Sequence, residues 1–140
     1  MALIRQIHLV VAWLLVAGVV VQVFLAGLGV FDDPRTFQVH ATWGYLLELL
    51  PFLLLVLAAV GRLGRRQLVY PLAIFGMFIL QSVFVGLRAD APMLSALHPV
   101  NGFAILLVSI MLGREAWLAR NRREESPAAV AGTATSTLAR

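Results

Sequence analysis

The sequence predicts an all-α membrane protein: a four-transmembrane-helix bundle made of two repeated αα-hairpins, with both termini cytoplasmic. Three observations predict this fold. Of the 140 residues 61% are hydrophobic, four long apolar runs follow one another, and polar residues of the first half recur in the second. Only 13% of the residues are charged, against about 25% in an ordinary soluble domain. The composition therefore excludes both a soluble globular enzyme and a disordered chain.

Each apolar run is long enough to cross a bilayer, which takes about 20 residues of helix. The runs extend from about Leu9 to Val30, His40 to Val60, Tyr70 to Leu87 and His98 to Leu118. Helix is the expected state of such runs, because lipid offers no partner to an unpaired backbone group. We predict one transmembrane domain at 1–120, followed by a disordered cytoplasmic tail at 121–140.

Charge predicts the orientation of the helices. All 11 basic residues are arginine, and most of them lie between the second and third runs or after the fourth. By the positive-inside rule these two segments are cytoplasmic, which gives a multi-pass protein of the cell membrane. No contiguous basic face can be drawn, so we expect the lipid bilayer and not a nucleic acid as the partner. The absence of cysteine excludes thiolate metal sites and haem attached through C-x-x-C-H.

The two halves of the chain share polar and glycine positions. The pattern Q-x4-G, followed by D-x-P and H-x3-G, occurs twice, with offsets of 59 and then 58 residues. The recurring pairs are Gln22 and Gln81, Gly27 and Gly86, His40 and His98, and Gly44 and Gly102. Glutamine and histidine are costly inside a membrane, so their repetition is informative. A twofold axis along the membrane normal would place the two histidines at one depth, facing each other.

Imidazole ligates haem iron, and four-helix bundles hold cofactors between facing helices. We therefore predict that His40 and His98 ligate a haem; the alternative is that they are interfacial histidines bonded to loop backbone. Gly44 and Gly102 each lie one turn beyond a histidine on the same helix face, and would leave room for a flat macrocycle. Gly27 and Gly86 would do the same from the first and third helices.

Each of four polar residues around this predicted site has two possible roles. Gln22 and Gln81 either bond neighbouring helices together, which we prefer, or meet the edge of the cofactor. Arg35 and Arg88 lie at the predicted outer end. They either pair with the haem propionates through charge-assisted hydrogen bonds or remain solvated loop charges.

The doubled Q-x4-G and H-x3-G hairpin resembles one four-helix half of the haem A synthase family. The resemblance covers about residues 9–118 and implies a membrane haem-binding bundle in which His40 and His98 are the axial ligands of one haem b per chain. A two-haem enzyme of that kind would need a homodimer of this chain. The family's catalytic half has a glutamate and an arginine at the positions of Phe37 and Ala41. Haem methyl oxidation is therefore not implied, and we assign no catalytic residue.

The expected function is electron transfer or haem handling, with a membrane redox partner or a quinone. Enzymatic activity stays open; an enzyme of this kind would be a haem-dependent membrane oxidoreductase. The alternative is a cofactor-free membrane accessory subunit or a small transporter-like protein, in which the histidines are structural.

Three other residues of the apolar runs carry expectations. Glu48 lies inside a span, where it either relays protons or is a protonated carboxyl bonded to the Leu47 carbonyl that Pro51 frees. Pro71 is expected near the start of the third helix. His8 has no histidine counterpart, and we expect it at the membrane interface beside Arg5.

Overall fold

The protein is a bundle of helices and turns. The computed structural model describes the backbone of residues 2–138 and the side chains of residues 2–122. The helices are α1 (Ala2–Phe31), α2 (Thr36–Val60), α3 (Arg65–Gly86), the short α4 (Pro92–Ser95) and α5 (Leu97–Leu138). No strand occurs within 2–138. Nearly all of the tail predicted at 121–140 lies outside the residues with described side chains.

Four helices are long and apolar enough to cross a membrane, so the chain is a membrane protein with a transmembrane helical bundle. These segments are Ala2–Phe31, Thr36–Val60, Arg65–Gly86 and Pro92–Arg122. Between 17% and 33% of the apolar window in each is buried inside the bundle. The remaining apolar surface faces outward, where lipid can cover it at no hydrophobic cost.

The long helices form a square. α1 packs against α2 and α5, and α3 packs against the same two helices, whereas the backbones of the diagonal pairs, α1 with α3 and α2 with α5, do not approach each other within the described residues. The core contains Ala12, Leu15 and Val19 of α1, Leu47 and Leu54 of α2, Ile74 and Phe78 of α3, and Ile105 and Leu112 of α5. Their spacing of three, four or seven residues along each helix is the spacing of one helix face.

The helices extend beyond the apolar runs that predicted them. α3 begins at Arg65 and not at Tyr70, because an arginine or glutamine favours helix as well as an apolar residue does. Pro71 therefore lies inside α3, and its placement near the start of the helix was wrong. It is fully buried and has no N–H to donate to the carbonyl of Gln67.

The turn between α2 and α3 is closed by backbone bonds. The Gly61 N–H donates to Leu57 O at 2.9 Å and the Leu63 N–H donates to Ala58 O at 3.0 Å. Gly64 then adopts a φ of 105°, a conformation that costs glycine little and other residues more. This turn lies at the opposite end of the bundle from His40 and His98.

Candidate functional site

The two histidines of the recurring pattern come together. His40 lies in the second turn of α2, His98 in the first turn of α5, and both are half-buried. The ring centroids are 6.2 Å apart and the ring planes are inclined by 58°. Since α2 and α5 are diagonal in the square, the side chains alone bridge the bundle axis.

His40 is held by Gln22 of α1 through both of its ring nitrogens. The His40 Nδ1–H donates to the Gln22 backbone carbonyl at 3.0 Å. Because a carbonyl only accepts, this bond assigns the proton to Nδ1 and leaves a lone pair on Nε2. The Gln22 side-chain amide donates to this Nε2 at 3.2 Å. The oxygen of the same amide is buried and has no partner among the described residues.

His98 has the corresponding bond in the other hairpin. Its Nδ1–H donates to the Gln81 backbone carbonyl over a longer distance, 3.4 Å. The Gln81 side-chain oxygen accepts from the Asn101 amide at 2.8 Å. Nε2 of His98 therefore meets no glutamine amide, in contrast to Nε2 of His40.

A second pair of bonds also occurs at the two offsets. The Trp43 indole N–H donates to Gly18 O at 2.9 Å, and the Asn101 amide donates to Met77 O at 2.8 Å. Both bonds join the helix that carries the histidine to its hairpin partner. The sequence analysis missed these roles of Trp43 and Asn101. The available signal was an asparagine inside an apolar run, one turn beyond His98.

The four glycines of the pattern fall into two classes. A Cβ on Gly44 would lie 2.9 Å from Nε2 of Gln22, and a Cβ on Gly102 would lie 3.5 Å from Nε2 of Gln81. The glutamine amides therefore occupy the space beside these two glycines. A Cβ on Gly27 or on Gly86 would meet nothing within 4 Å, so open space lies beside those positions.

The two arginines near this end are exposed and bonded locally. Arg35 pairs with Asp33 at 2.9 Å, and its backbone N–H donates to the same carboxylate at 2.9 Å. Arg88 donates to Val85 O at 3.4 Å. Neither arginine contacts a histidine in the structure.

An aromatic edge flanks His40. The Phe37 ring stands edge-on to the imidazole with centroids 6.2 Å apart. On its other side it lies so close to Gly29 that a Cβ there would be 2.9 Å from it. Phe37 therefore offers hydrocarbon to this side of His40.

One expectation outside the histidine pair was wrong. His8 is only 1% exposed, so it is buried in the bundle and is not an exposed interfacial residue. A short hydropathy pattern does not distinguish these placements. Glu48 is half-buried and forms no ion pair within residues 2–122, and both interpretations of its role stay predictions.

The fold and the site define a class: a four-helix membrane protein with two imidazoles facing each other near one end of the bundle. No group of three or more metal-ligating side chains is present among the described residues. Residues 22–89, slightly less than half of the chain, match a family described as "Family of unknown function (DUF6220)". This match includes His40 and Gln81 and ends before His98. Neither the curated proteins nor the solved structures contain a match.

Proposed function

We propose that this protein is an integral membrane protein that binds one b-type haem through His40 and His98, and that it acts in electron transfer or haem handling. The observation that carries the proposal is the pair of imidazoles 6.2 Å apart, each with its Nδ1–H committed to a backbone carbonyl. This leaves the Nε2 lone pairs as the available ligands.

The spacing of the rings fits a shared metal ion. A metal bonded to one nitrogen of each imidazole at about 2.0–2.1 Å, with the two bonds opposed, puts the ring centres roughly 6 Å apart. The Nδ1–H bonds to carbonyls are the second-shell contacts that orient metal-binding histidines and fix their tautomer. Two such ligands suffice for haem, whose iron receives its other four bonds from the macrocycle.

The side chain of Gln22 would have to move before haem could bind. Its amide now donates to Nε2 of His40, the atom that would face the iron. The amide oxygen has no partner, so this one bond holds the side chain. Open space also lies beside Gly27 and Gly86. The donor set supports the proposal on the condition that the Gln22 amide moves away from Nε2 of His40.

We also infer that the chain is an internal repeat of two hairpins. Two kinds of interhelical bond support this: histidine Nδ1 to a glutamine carbonyl, and Trp43 or Asn101 to a carbonyl one turn earlier on the partner helix. The buried faces support it as well. Leu47, Leu54 and Ala58 of α2 are buried, and so are Ile105, Leu112 and Ala116 of α5, 58 residues later.

When bound, a haem with two histidine ligands supplies a reversible one-electron couple and offers no open iron position. In this chain His40 and His98 would hold the iron, while the Gln22 and Gln81 carbonyls keep both imidazoles in the ligating tautomer. Phe37 would limit water on one side of His40. These roles suit electron exchange with a membrane redox partner or a quinone, and they leave open whether two chains associate.

We propose that the arginine-rich end of the bundle is cytoplasmic. Arg62, Arg65 and Arg66 lie at the α2–α3 turn, and Arg120 and Arg122 lie at the same end on α5. The positive-inside rule then puts both termini on the cytoplasmic side and the histidines near the outer face of the cell membrane.

A second function is favoured by the same bonds. Both imidazoles are already satisfied at Nδ1, and Gln22 satisfies Nε2 of His40. The histidines could therefore serve to close each hairpin in a cofactor-free accessory subunit or a small transporter-like protein. The two proposals differ in whether Nε2 ever binds iron.

Absorption spectroscopy of the detergent-purified protein tests the choice. Oxidised and dithionite-reduced spectra are compared for the wild type, His40→Ala and His98→Ala, with Thr42→Val as the matched control on an exposed position of α2. A sharp α band on reduction, lost or displaced in both histidine variants and retained in the control, supports haem ligation. A wild type that stays colourless after haem is added overturns it and leaves the accessory subunit.

A further inference from the structure

A cavity lies at the arginine-rich end of the bundle, far from the paired histidines. It has a volume of about 290 Å³, roughly ten times the share of one liquid water. It opens between α1, α3 and α5 beside the α2–α3 turn. Its lining includes Arg5, His8, Leu63, Gln67, Ala116 and Arg120.

Two polar side chains of this lining are buried without partners. His8 is 1% exposed and Gln67 is 5% exposed. Nε2 of His8 and the side-chain oxygen of Gln67 have no hydrogen bond among the described residues. Buried polar atoms are bonded in the great majority of cases. Two unbonded atoms that line one cavity therefore indicate a polar occupant.

The two residues hold corresponding places on diagonal helices. Gln67 follows His8 by 59 residues, the offset that separates Gln22 from Gln81. The unbonded side-chain oxygen of Gln67 calls for a hydrogen-bond donor on this side of the cavity.

Charge at the cavity calls for an anion. Arg5 is half-buried and has no carboxylate partner within residues 2–122. Arg120 lies over the Trp117 ring at 5.9 Å and also reaches the cavity. Glu115 of α5 is paired with Arg66 at 2.9 Å and does not line the cavity.

One chemical class supplies both the negative charge and the hydrogen-bond donor that the cavity requires. A phosphodiester accepts hydrogen bonds from guanidinium groups such as that of Arg5, and an attached hydroxyl donates to the Gln67 oxygen while it accepts from the Nε2–H of His8. A carboxylate or a bare phosphodiester offers no donor for Gln67. The cavity also lies at the end of the membrane-spanning helices, where basic pockets between helices meet lipid headgroups.

We propose that this cavity binds the headgroup of an anionic glycerophospholipid that carries a free hydroxyl, with Arg5 and Arg120 on the phosphodiester and Gln67 and His8 on the hydroxyl. The proposal is independent of haem. It adds a lipid site at one end of the bundle to the imidazole site at the other.

The test is lipid binding to the purified full-length protein, measured by native mass spectrometry after delipidation. Phosphatidylglycerol carries the phosphodiester and the hydroxyls, phosphatidylmethanol has the same net charge without a hydrogen-bond donor in its headgroup, and phosphatidylcholine is neutral overall. Glycerophosphoglycerol, the same headgroup without acyl chains, separates recognition of the headgroup from recognition of a lipid. The variants are Arg5→Gln and Gln67→Met, with Arg65→Gln as the matched control, an exposed arginine of the same end outside the cavity.

We expect one phosphatidylglycerol per chain, bound more tightly than phosphatidylmethanol and phosphatidylcholine. Arg5→Gln should weaken its binding about fivefold, Gln67→Met should abolish the preference over phosphatidylmethanol, and Arg65→Gln should change neither. Equal binding of the two anionic lipids by the wild type overturns the proposal even if Gln67→Met does not fold. Equal loss in Arg5→Gln and Arg65→Gln also overturns it, because the attraction would then be a general one to positive charge. Failure to retain any lipid overturns it as well.

Discussion

The imidazole of His40 lies 6.2 Å from that of His98, although their helices make no backbone contact. Nδ1–H of each ring donates to a backbone carbonyl of the neighbouring helix, and the two rings do not hold each other in place. The distance between the rings is therefore set by the packing of α1 on α2 and of α3 on α5. A site of this kind is assembled before any ligand arrives, which lowers the cost of ordering its ligands on binding.

Alanine at the two histidine-side glycines should have unequal effects. In Gly44→Ala the new methyl would lie 2.9 Å from the Gln22 amide, whereas in Gly102→Ala it would lie 3.5 Å from the Gln81 amide. The first contact requires the amide to move, and we expect a loss of about 1 kcal/mol of unfolding free energy, the net worth of one hydrogen bond. The second is ordinary contact, so Gly102→Ala should be neutral or gain up to about 1 kcal/mol from helix propensity.

Equilibrium unfolding in mixed detergent micelles measures this difference. Gly76→Ala is the matched control, because a Cβ at Gly76 would meet nothing within 4 Å. Equal destabilisation by Gly44→Ala and Gly102→Ala would show that the Gln22 amide is not held between Gly44 and His40.

The Asn101 amide should stabilise the second hairpin through two bonds. Asn101→Leu removes the donor to Met77 O and to the Gln81 side-chain oxygen, both at 2.8 Å. Interhelical bonds of this kind in membranes average about 0.6 kcal/mol, so we expect a loss of about 1 kcal/mol in the same unfolding measurement. A double-mutant cycle with Gln81→Leu isolates the bond between the two side chains. A coupling energy of zero would contradict the arrangement.

Gly18 should tolerate no side chain while Leu47 is present. A Cβ at Gly18 would overlap a methyl group of Leu47, which is buried in the core. Overpacking of this kind costs about 1–3 kcal/mol, and we expect Gly18→Ala to lower the unfolding midpoint accordingly.

Shortening the opposing side chain should relieve the overlap. The double variant Gly18→Ala with Leu47→Val should be more stable than the sum of the two single changes predicts. Strict additivity would mean that the two residues do not contact each other in the folded protein.

Hydropathy predicted the existence of the four long helices because lipid permits little else for such runs. It could not predict where they end. The apolar run begins at Tyr70, whereas α3 already begins at Arg65, because arginine favours helix as well as an apolar residue does. The same difference explains the misplacement of Pro71, which lies a full turn or more inside α3.

The histidine pair followed from the repeat, but its bonding partners did not. Sequence spacing gave Gln22 and His40 equivalent positions to Gln81 and His98, and it did not indicate that backbone carbonyls hold the rings. The surroundings of His8 were also hidden. A histidine three residues after Arg5 is compatible with an interfacial side chain, and only the packing of α1 beside α3 and α5 shows that it is buried.

The absence of cysteine in the chain gives a direct test of orientation. A single cysteine is introduced as Ala89→Cys, an exposed position between α3 and α4, or as Ser126→Cys in the predicted tail. Intact cells are treated with a membrane-impermeant maleimide, and then lysed cells are treated as the control for reactivity. Because the arginine-rich segments are expected inside, Ala89→Cys should react in intact cells, and Ser126→Cys should react only after lysis. The reverse pattern would place the imidazole site at the cytoplasmic face, and a haem held there would exchange electrons with cytoplasmic partners.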